Sequence, residues 1–249
     1  MKAALFVPCL MDRFLPDAGM AAARLLESVG VRVVLDSRQT CCGQPAVNAG
    51  HPDLARRMAS RMLRLADHGL PVVVPSGSCV AMVRDGYGML DLPGEEGERW
   101  LGLRGRIFEL AEFLESKGLI DRVSARLEAR VVVHHACHHL RHVRGEGPLR
   151  SLLGRLSGAE VVDSPQARQC CGFGGVFSTR LPELSIAMGR ARLDAMLGLE
   201  PRYVALADAG CILHLSGIVE AQGLRPGLQV VHYAQLFTGD GLALRDRDP

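Results

Sequence analysis

Short apolar runs of strand length alternate along this chain with longer stretches in which apolar residues recur at helical spacing. In the first half, the predicted strands are 3–8, 30–36 and 72–75, the predicted helices are 17–29 and 52–68, and residues 107–117 close the series with a strand and a helix. The helix at 52–68 opens on Pro52 and Asp53, as is typical of a first helical turn.

The second half repeats this order of elements. Its predicted strands are 130–134, 158–163 and 203–206, its predicted helices are 148–156 and 182–197, and residues 231–237 close the series. Strands that alternate with helices predict parallel sheets joined by crossovers. We therefore expect an α/β fold of two tandem, repeated three-layer α/β/α units with mainly parallel sheets, the first unit spanning 1–118 and the second 119–249.

The eight cysteines follow the same repeat, because each half has a lone cysteine, a Cys-Cys-Gly motif and a second lone cysteine. They are Cys9, Cys41, Cys42 and Cys79 in the first half, and Cys137, Cys170, Cys171 and Cys211 in the second. Each falls after a predicted strand or in the loop that follows it, and the carboxyl ends of parallel strands share one edge of a sheet. The sequence therefore predicts a thiolate site at this edge of each unit.

Soft sulfur ligands suit iron-sulfur clusters and zinc, and four thiolates per site match the ligand count of either. Two adjacent cysteines reach one small tetrahedral ion only with strain, whereas they can reach different irons of a cluster, so the cluster is favoured over zinc. Gly43 and Gly172 follow the pairs where the backbone must turn and approach the cofactor. Cys79 and Cys211 stand near predicted helix starts, whose N–H groups stabilise negative sulfur.

Four histidines, at positions 134, 135, 138 and 139, surround Cys137. A neutral imidazole could ligate a metal or relay a proton, and His134 is the candidate for contact with the cofactor. The alternative is that these rings support the cysteines from outside the ligand set or lie at the surface.

Composition narrows the range of functions. Hydrophobic residues make up 48% of the 249 residues and aromatic residues only 4%, which predicts aliphatic cores. A net charge of +2 does not indicate a nucleic-acid partner, and four arginines at 56, 57, 61 and 64 could form either a basic stripe or a solvated helix face.

No apolar run approaches the roughly 20 residues of a transmembrane helix. We therefore expect a cytoplasmic protein whose cysteines serve metal or redox chemistry rather than disulfides.

These motifs resemble the cysteine-rich, or CCG, domain family. The residues that carry the resemblance are 75–79 (PSGSC), 134–141 (HHACHHLR), 170–175 (CCGFGG) and 208–211 (DAGC). The chain is similar to the cysteine-rich subunit of heterodisulfide reductase, to the iron-sulfur subunits of glycolate and glycerol-3-phosphate oxidation systems, and above all to iron-sulfur subunits of L-lactate dehydrogenase complexes. The resemblance implies electron transfer in lactate oxidation, within a complex that includes a second iron-sulfur protein.

The chain departs from that family's pattern at Ser76 and Asp208, which stand where the heterodisulfide reductase subunit has the first cysteine of Cys-x-x-Cys. With four cysteines per half, a single four-iron cluster, either shared or one in each half, becomes an alternative to the double clusters that the fuller motif holds in that subunit. Asp208 could ligate iron through oxygen or cap a helix, and Ser76 is expected to be a helix cap.

Three classes of function remain open from the residues. The first is an iron-sulfur electron-transfer subunit, in which the sequence identifies no catalytic residue. The second is a thiol-disulfide reductase or redox sensor that uses the cysteine pairs. The third is a zinc-stabilised interaction module. The chain lacks a nucleotide-binding Gly-x-Gly-x-x-Gly between a strand and a helix.

Overall fold

A computed structural model describes residues 1–166, 169–224 and 227–238, which form an α/β fold around two four-stranded parallel sheets. The first sheet contains β1 (Lys2–Leu5), β2 (Arg32–Val34), β3 (Val72–Val74) and β4 (Ile107–Glu109). A two-stranded ribbon pairs β5 (Ala125–Arg126) with β7 (Leu156–Ser157), and the second sheet contains β6 (Arg130–Val133), β8 (Glu160–Asp163), β9 (Tyr203–Leu206) and β10 (Gln229–His232).

Helices connect these strands and cover the sheets. Those of the first half are α1 (Cys9–Phe14), α2 (Pro16–Ser28), α3 (Gln44–Asn48), α4 (Pro52–Leu65), α5 (Gly77–Arg84), α6 (Glu95–Arg104) and α7 (Leu110–Ser116). Those of the second half are α8 (Glu146–Leu153), α9 (Val176–Arg180), α10 (Pro182–Leu197) and α11 (Ala209–Ala221). Short 3₁₀ helices span Gly86–Met89, Ile120–Arg122 and Tyr233–Phe237, and a π-helix spans His139–Val143. Within the described residues, none of these helices is both long and apolar enough to cross a membrane.

The two sheets have the same topology. Their strand orders are β2-β1-β3-β4 and β8-β6-β9-β10, and all neighbouring strands are parallel. The predicted parallel α/β architecture is therefore confirmed, and the predicted 182–197 and 203–206 coincide with α10 and β9. The patterns did not reveal α1, α6 or the β5–β7 ribbon. The unit boundary between residues 118 and 119 stays a prediction.

Each sheet has apolar packing on both faces, because alternate strand residues point to opposite sides. Leu5 and Val131 face a core that the two halves share, whereas Val74 and Val132 face separate outer cores. In the shared core, α2 contacts the 3₁₀ helix 233–237, and α7 contacts α8. Each of these contacts joins the longer helix between the first two sheet strands of one half to the closing helix of the other. The halves therefore pack face to face with matched interfaces.

A buried carboxylate ties the halves together at this interface. Glu109, at the end of β4, is fully buried, and its Oε1 accepts a 2.6 Å hydrogen bond from the Tyr233 hydroxyl of the second half. Its Oε2 accepts a 2.9 Å bond from the Ala111 amide at the start of α7, and His139 Nε2 lies 3.6 Å away. Burial would raise the pKa of Glu109, but the nearby charge of His139 and the hydrogen bond from Tyr233 outweigh it and hold that pKa below its usual value.

Candidate metal centre

The four cysteines of the first half meet at the carboxyl edge of the first sheet. The Sγ atoms of Cys9 and Cys41 are 3.4 Å apart, and those of Cys42 and Cys79 are 3.3 Å apart. The Gly43 amide donates to Cys41 Sγ at 3.4 Å. Residues separated by whole strands and helices thus form one group, which we call the first cysteine set (Cys9, Cys41, Cys42 and Cys79).

The second half repeats this geometry in the second cysteine set (Cys137, Cys170, Cys171 and Cys211). The Sγ atoms of Cys171 and Cys211 are 2.9 Å apart, and the Gly172 amide donates to Cys170 Sγ at 3.4 Å. Cys170 is also hydrogen-bonded to Cys137. None of the eight cysteines forms a disulfide bond.

One sulfur in each set is held as a thiolate. Hydrogen bonds from the Cys42 and Cys9 thiols and from the Gly43 amide lower the pKa of Cys41 to about 3. The corresponding thiols of Cys137 and Cys171 lower the pKa of Cys170 to about 2. The pKa values of the donor thiols are raised, chiefly because each hydrogen-bonds to its negative neighbour. Each set therefore contains a negatively charged sulfur that favours the binding of a cation.

Both sets border one cavity between the halves, with a volume of about 120 Å³. Seven cysteines line it, and the eighth, Cys41, lines a neighbouring pocket on the first half. Gln44 Nε2 of the first half lies 3.3 Å from His138 Nε2 of the second across this region. Sequence patterns predict one cysteine-bearing edge in each unit, but only the packing of the halves makes the two edges adjoin.

The glycines of both Cys-Cys-Gly motifs occupy tight positions. Gly43 and Gly172 have φ values of +91° and +92°, a conformation that favours glycine. A Cβ atom would lie 3.2 Å from the carbonyl oxygen of Ala55 in the first case, and 2.5 Å from that of Ser185 in the second. These glycines let the cysteine loop lie directly on α4 or α10. Their predicted approach to a cofactor stays a prediction.

Replacing Gly172 with alanine should therefore destabilise the fold by about 2–5 kcal/mol, since left-handed strain adds to the steric clash. Gly50 is a matched control, because its φ is +81° and no atom lies within 4 Å of an added Cβ. Its alanine variant should lose only about 1–2 kcal/mol from backbone strain. Urea unfolding of the metal-free proteins measures both losses, and equal losses would contradict the close packing inferred here.

Asp208 crosses between the halves instead of capping its own helix, α11. Its Oδ1 accepts 2.9 Å hydrogen bonds from the Ser76 hydroxyl and from the Ser78 amide in the first turn of α5. Ser76 therefore donates to Asp208 and makes no capping bond to α5. Ser76 and Asp208, the two positions that replace family cysteines, thus hydrogen-bond to each other from opposite halves. Within the part of the chain that the structure describes, Asp208 Oδ2 is buried without a hydrogen-bond partner.

The histidines around Cys137 occupy different environments. His138 Nδ1 lies 3.6 Å from Cys137 Sγ, whereas His135 Nε2 pairs with Asp163 at 3.2 Å. His139 lies in the interface near Glu109. His138 is thus in direct contact with a cysteine of the second set.

His134 is buried beside the second set, where one of its ring nitrogens and the Sγ atoms of Cys171 and Cys211 all lie within 4.8 Å of one another. Burial, reinforced by the charge of Arg192, lowers the pKa of His134 to about 3, so the ring is neutral. Arg192 Nε donates to His134 Nδ1 at 3.0 Å. Sequence patterns did not single out Arg192. An alignment of the two halves would have found it, because Arg192 has the same position on α10 as Met62 has on α4.

The donors of each set fit a soft metal or an iron-sulfur cluster. Four sulfurs gather there, one already a thiolate, with a glycine amide beside it. The buried, unpartnered Oδ2 of Asp208 adds an oxygen donor at the cavity wall. Zinc and iron-sulfur clusters both accept four thiolates, so the donor set alone fits either.

Several known proteins are similar to this chain. The family model for the cysteine-rich domain, CCG, matches residues 3–84 and 131–216. A relative named Lactate utilization protein A from Anoxybacillus flavithermus is 34% identical over 237 residues, covering 95% of this chain and 99% of its own. One of the same name from Geobacillus kaustophilus is 36% identical, covering 95% and 98%. Among solved structures, an aspartate racemase homologue from Pyrococcus horikoshii aligns over 98% of both chains with a TM-score of 0.33 and 11% identity.

Proposed function

Because this chain belongs to the cysteine-rich CCG domain family, we propose that it is an iron-sulfur electron-transfer subunit of a lactate-oxidising complex. The observation that carries the proposal is the pair of equivalent four-cysteine sets that border one cavity between the halves. The sequence lacks the Gly-x-Gly-x-x-Gly fingerprint of a nucleotide cofactor between a strand and a helix, which favours an electron-transfer role for these cysteines.

Each cysteine set would hold one cluster, most simply a [4Fe-4S] cluster, which supplies one-electron redox chemistry when bound. The amides of Gly43 and Gly172, which donate to Cys41 and Cys170, would stabilise the negative charge of the ligating sulfurs. Asp208 offers its free Oδ2 toward the same cavity as a further cofactor ligand. His134 would contact the cluster of the second set.

The lactate assignment rests on relatives, since no residue described above recognises a 2-hydroxy acid. The relatives named Lactate utilization protein A match nearly their whole length. In the proposed complex, other subunits, one of them a second iron-sulfur protein, oxidise lactate and exchange electrons with this chain in the cytoplasm.

Anaerobic reconstitution with iron and sulfide tests the cofactor. We expect brown protein with iron and acid-labile sulfide in equal amounts, and an electron paramagnetic resonance signal after reduction. Zinc without sulfide would instead identify a zinc-stabilised module. Co-purification of the tagged chain from cells grown on lactate tests for partner subunits, and lactate-dependent reduction of the clusters in that preparation tests the substrate.

A second candidate is thiol-disulfide exchange, favoured by the 2.9 Å approach of the Cys171 and Cys211 sulfurs. Thiol titration of metal-free protein before and after mild oxidation tests it. A reversible loss of two thiols that a dithiol restores, without iron in the native protein, would favour this candidate.

A further inference from the structure

The two halves differ at one pair of equivalent buried positions beside the cysteines. Phe6 and His134 each lie three residues before the first cysteine of their half. Each donates its backbone amide to the third strand of its sheet, Phe6 to Val73 at 2.9 Å and His134 to Ala205 at 3.0 Å. The phenyl ring of Phe6 in the first half therefore corresponds to the imidazole ring of His134 in the second.

The matching helices differ in the same way. Both α4 and α10 begin with proline, and Gly43 and Gly172 pack against equivalent turns of them. Counted from those prolines, Met62 and Arg192 occupy the same position, and both are buried. An apolar Phe–Met pair in the first half thus corresponds to a His–Arg pair in the second.

The hydrogen bond between these two side chains fixes the tautomer of His134. A guanidinium nitrogen can only donate, so His134 Nδ1, 3.0 Å from Arg192 Nε, must be the acceptor. The ring proton therefore lies on Nε2, which is buried and has no hydrogen-bond partner among the residues that the structure describes. Coordination of a metal through Nε2 would displace this proton. His134 is consequently suited to donate to sulfur and not to ligate metal.

Arg192 brings a positive charge into the same site. Its side chain is fully buried, and it donates to His134 and to the Pro165 carbonyl oxygen, while Nη2 has no hydrogen-bond partner in residues 1–166, 169–224 and 227–238. Among the described residues, no carboxylate lies within the 4.0 Å of an ion pair with it. A buried cation without a counter-charge is strongly destabilising. The Sγ atoms of Cys171 and Cys211 lie within 4.8 Å of a ring nitrogen of His134, to which Arg192 donates, so negative charge on the second cysteine set would compensate the charge of Arg192.

We propose that the His134–Arg192 pair makes the second cysteine set the more easily reduced of the two. This inference rests on the proposed function, because it assumes that both sets hold clusters. Hydrogen bonds to cluster sulfurs and nearby positive charge both stabilise the reduced, more negative state and so raise the reduction potential. The first set has Phe6 and Met62 at these positions and lacks both effects.

A redox titration of the reconstituted protein, followed by electron paramagnetic resonance, tests the inference. We expect two reduction steps, the upper one lost in Cys171→Ser and the lower one lost in Cys42→Ser. In His134→Phe and Arg192→Met, the upper step should shift down until it merges with the lower one. His134→Asn, which keeps an N–H donor, should recover part of the shift. Phe6→Leu and Met62→Leu are the matched controls and should leave the upper step in place.

Two results would overturn the inference. One is a wild-type protein in which both sets are reduced in a single step, or in which the upper step belongs to the first set. The other is an upper step that stays in place in His134→Phe with iron content intact. If the variants do not fold, ¹⁵N nuclear magnetic resonance of the metal-free wild type decides, since a proton on Nδ1 of His134 contradicts the proposal and one on Nε2 supports it. Absence of iron and sulfide in the reconstituted wild type would instead refute the proposed function.

Discussion

Replacing Cys171 with serine should remove about half of the iron that the reconstituted wild-type chain binds, because four thiolates hold one cluster. Among the described residues, the hydrogen bonds between thiols join members of one set and none crosses between sets. Loss of Cys171 should therefore empty the second set and leave the first occupied. Iron and sulfide determination, with electron paramagnetic resonance of the reduced protein, measures the outcome.

The equivalent Cys42→Ser variant is the matched control, since Cys42 has the same place in the first set. It should also lose about half of the iron, but retain the signal that Cys171→Ser loses. If either single variant lost all of its iron, the two sets would hold one shared cluster across the cavity. If neither lost iron, the cysteines would not be the ligands.

Glu109→Ala should lower the free energy of unfolding by about 3–5 kcal/mol, a large part of the stability of a typical domain. The change leaves the buried Tyr233 hydroxyl and Ala111 amide without their carboxylate acceptor. It also removes a bond that joins the two halves. Glu109→Gln, which keeps one oxygen acceptor, should lose less. Chemical denaturation of the metal-free protein followed by circular dichroism gives these values.

Glu115→Ala provides the comparison on the neighbouring helix α7. Glu115 also bonds across the halves, to the Ser151 hydroxyl at 3.1 Å, but it is exposed. Water can replace that bond, so the variant should lose only about 0.5 kcal/mol or less. Similar losses for Glu109→Ala and Glu115→Ala would show that the buried carboxylate has no special role at the interface.

The repeat of the cysteines was readable along the chain because it follows from short-range features. Apolar runs of period two predict strands, and proline with an acid marks the start of α4 and α10. The rule that parallel strands share a carboxyl edge then places Cys9 and Cys79 together without any knowledge of their contacts. The same reasoning could not assign Asp208, whose partners Ser76 and Ser78 belong to the other half.

The sequence by itself therefore determined the α/β class, the parallel sheets and the membership of each cysteine set, since these depend on local periodicity and on a general rule of sheet topology. Only the tertiary structure decided that the two sets border one cavity, that Asp208 joins Ser76, and that Arg192 orients His134. These contacts depend on how the halves pack and on how side chains from distant segments fit together. No periodic pattern along the chain encodes such pairings.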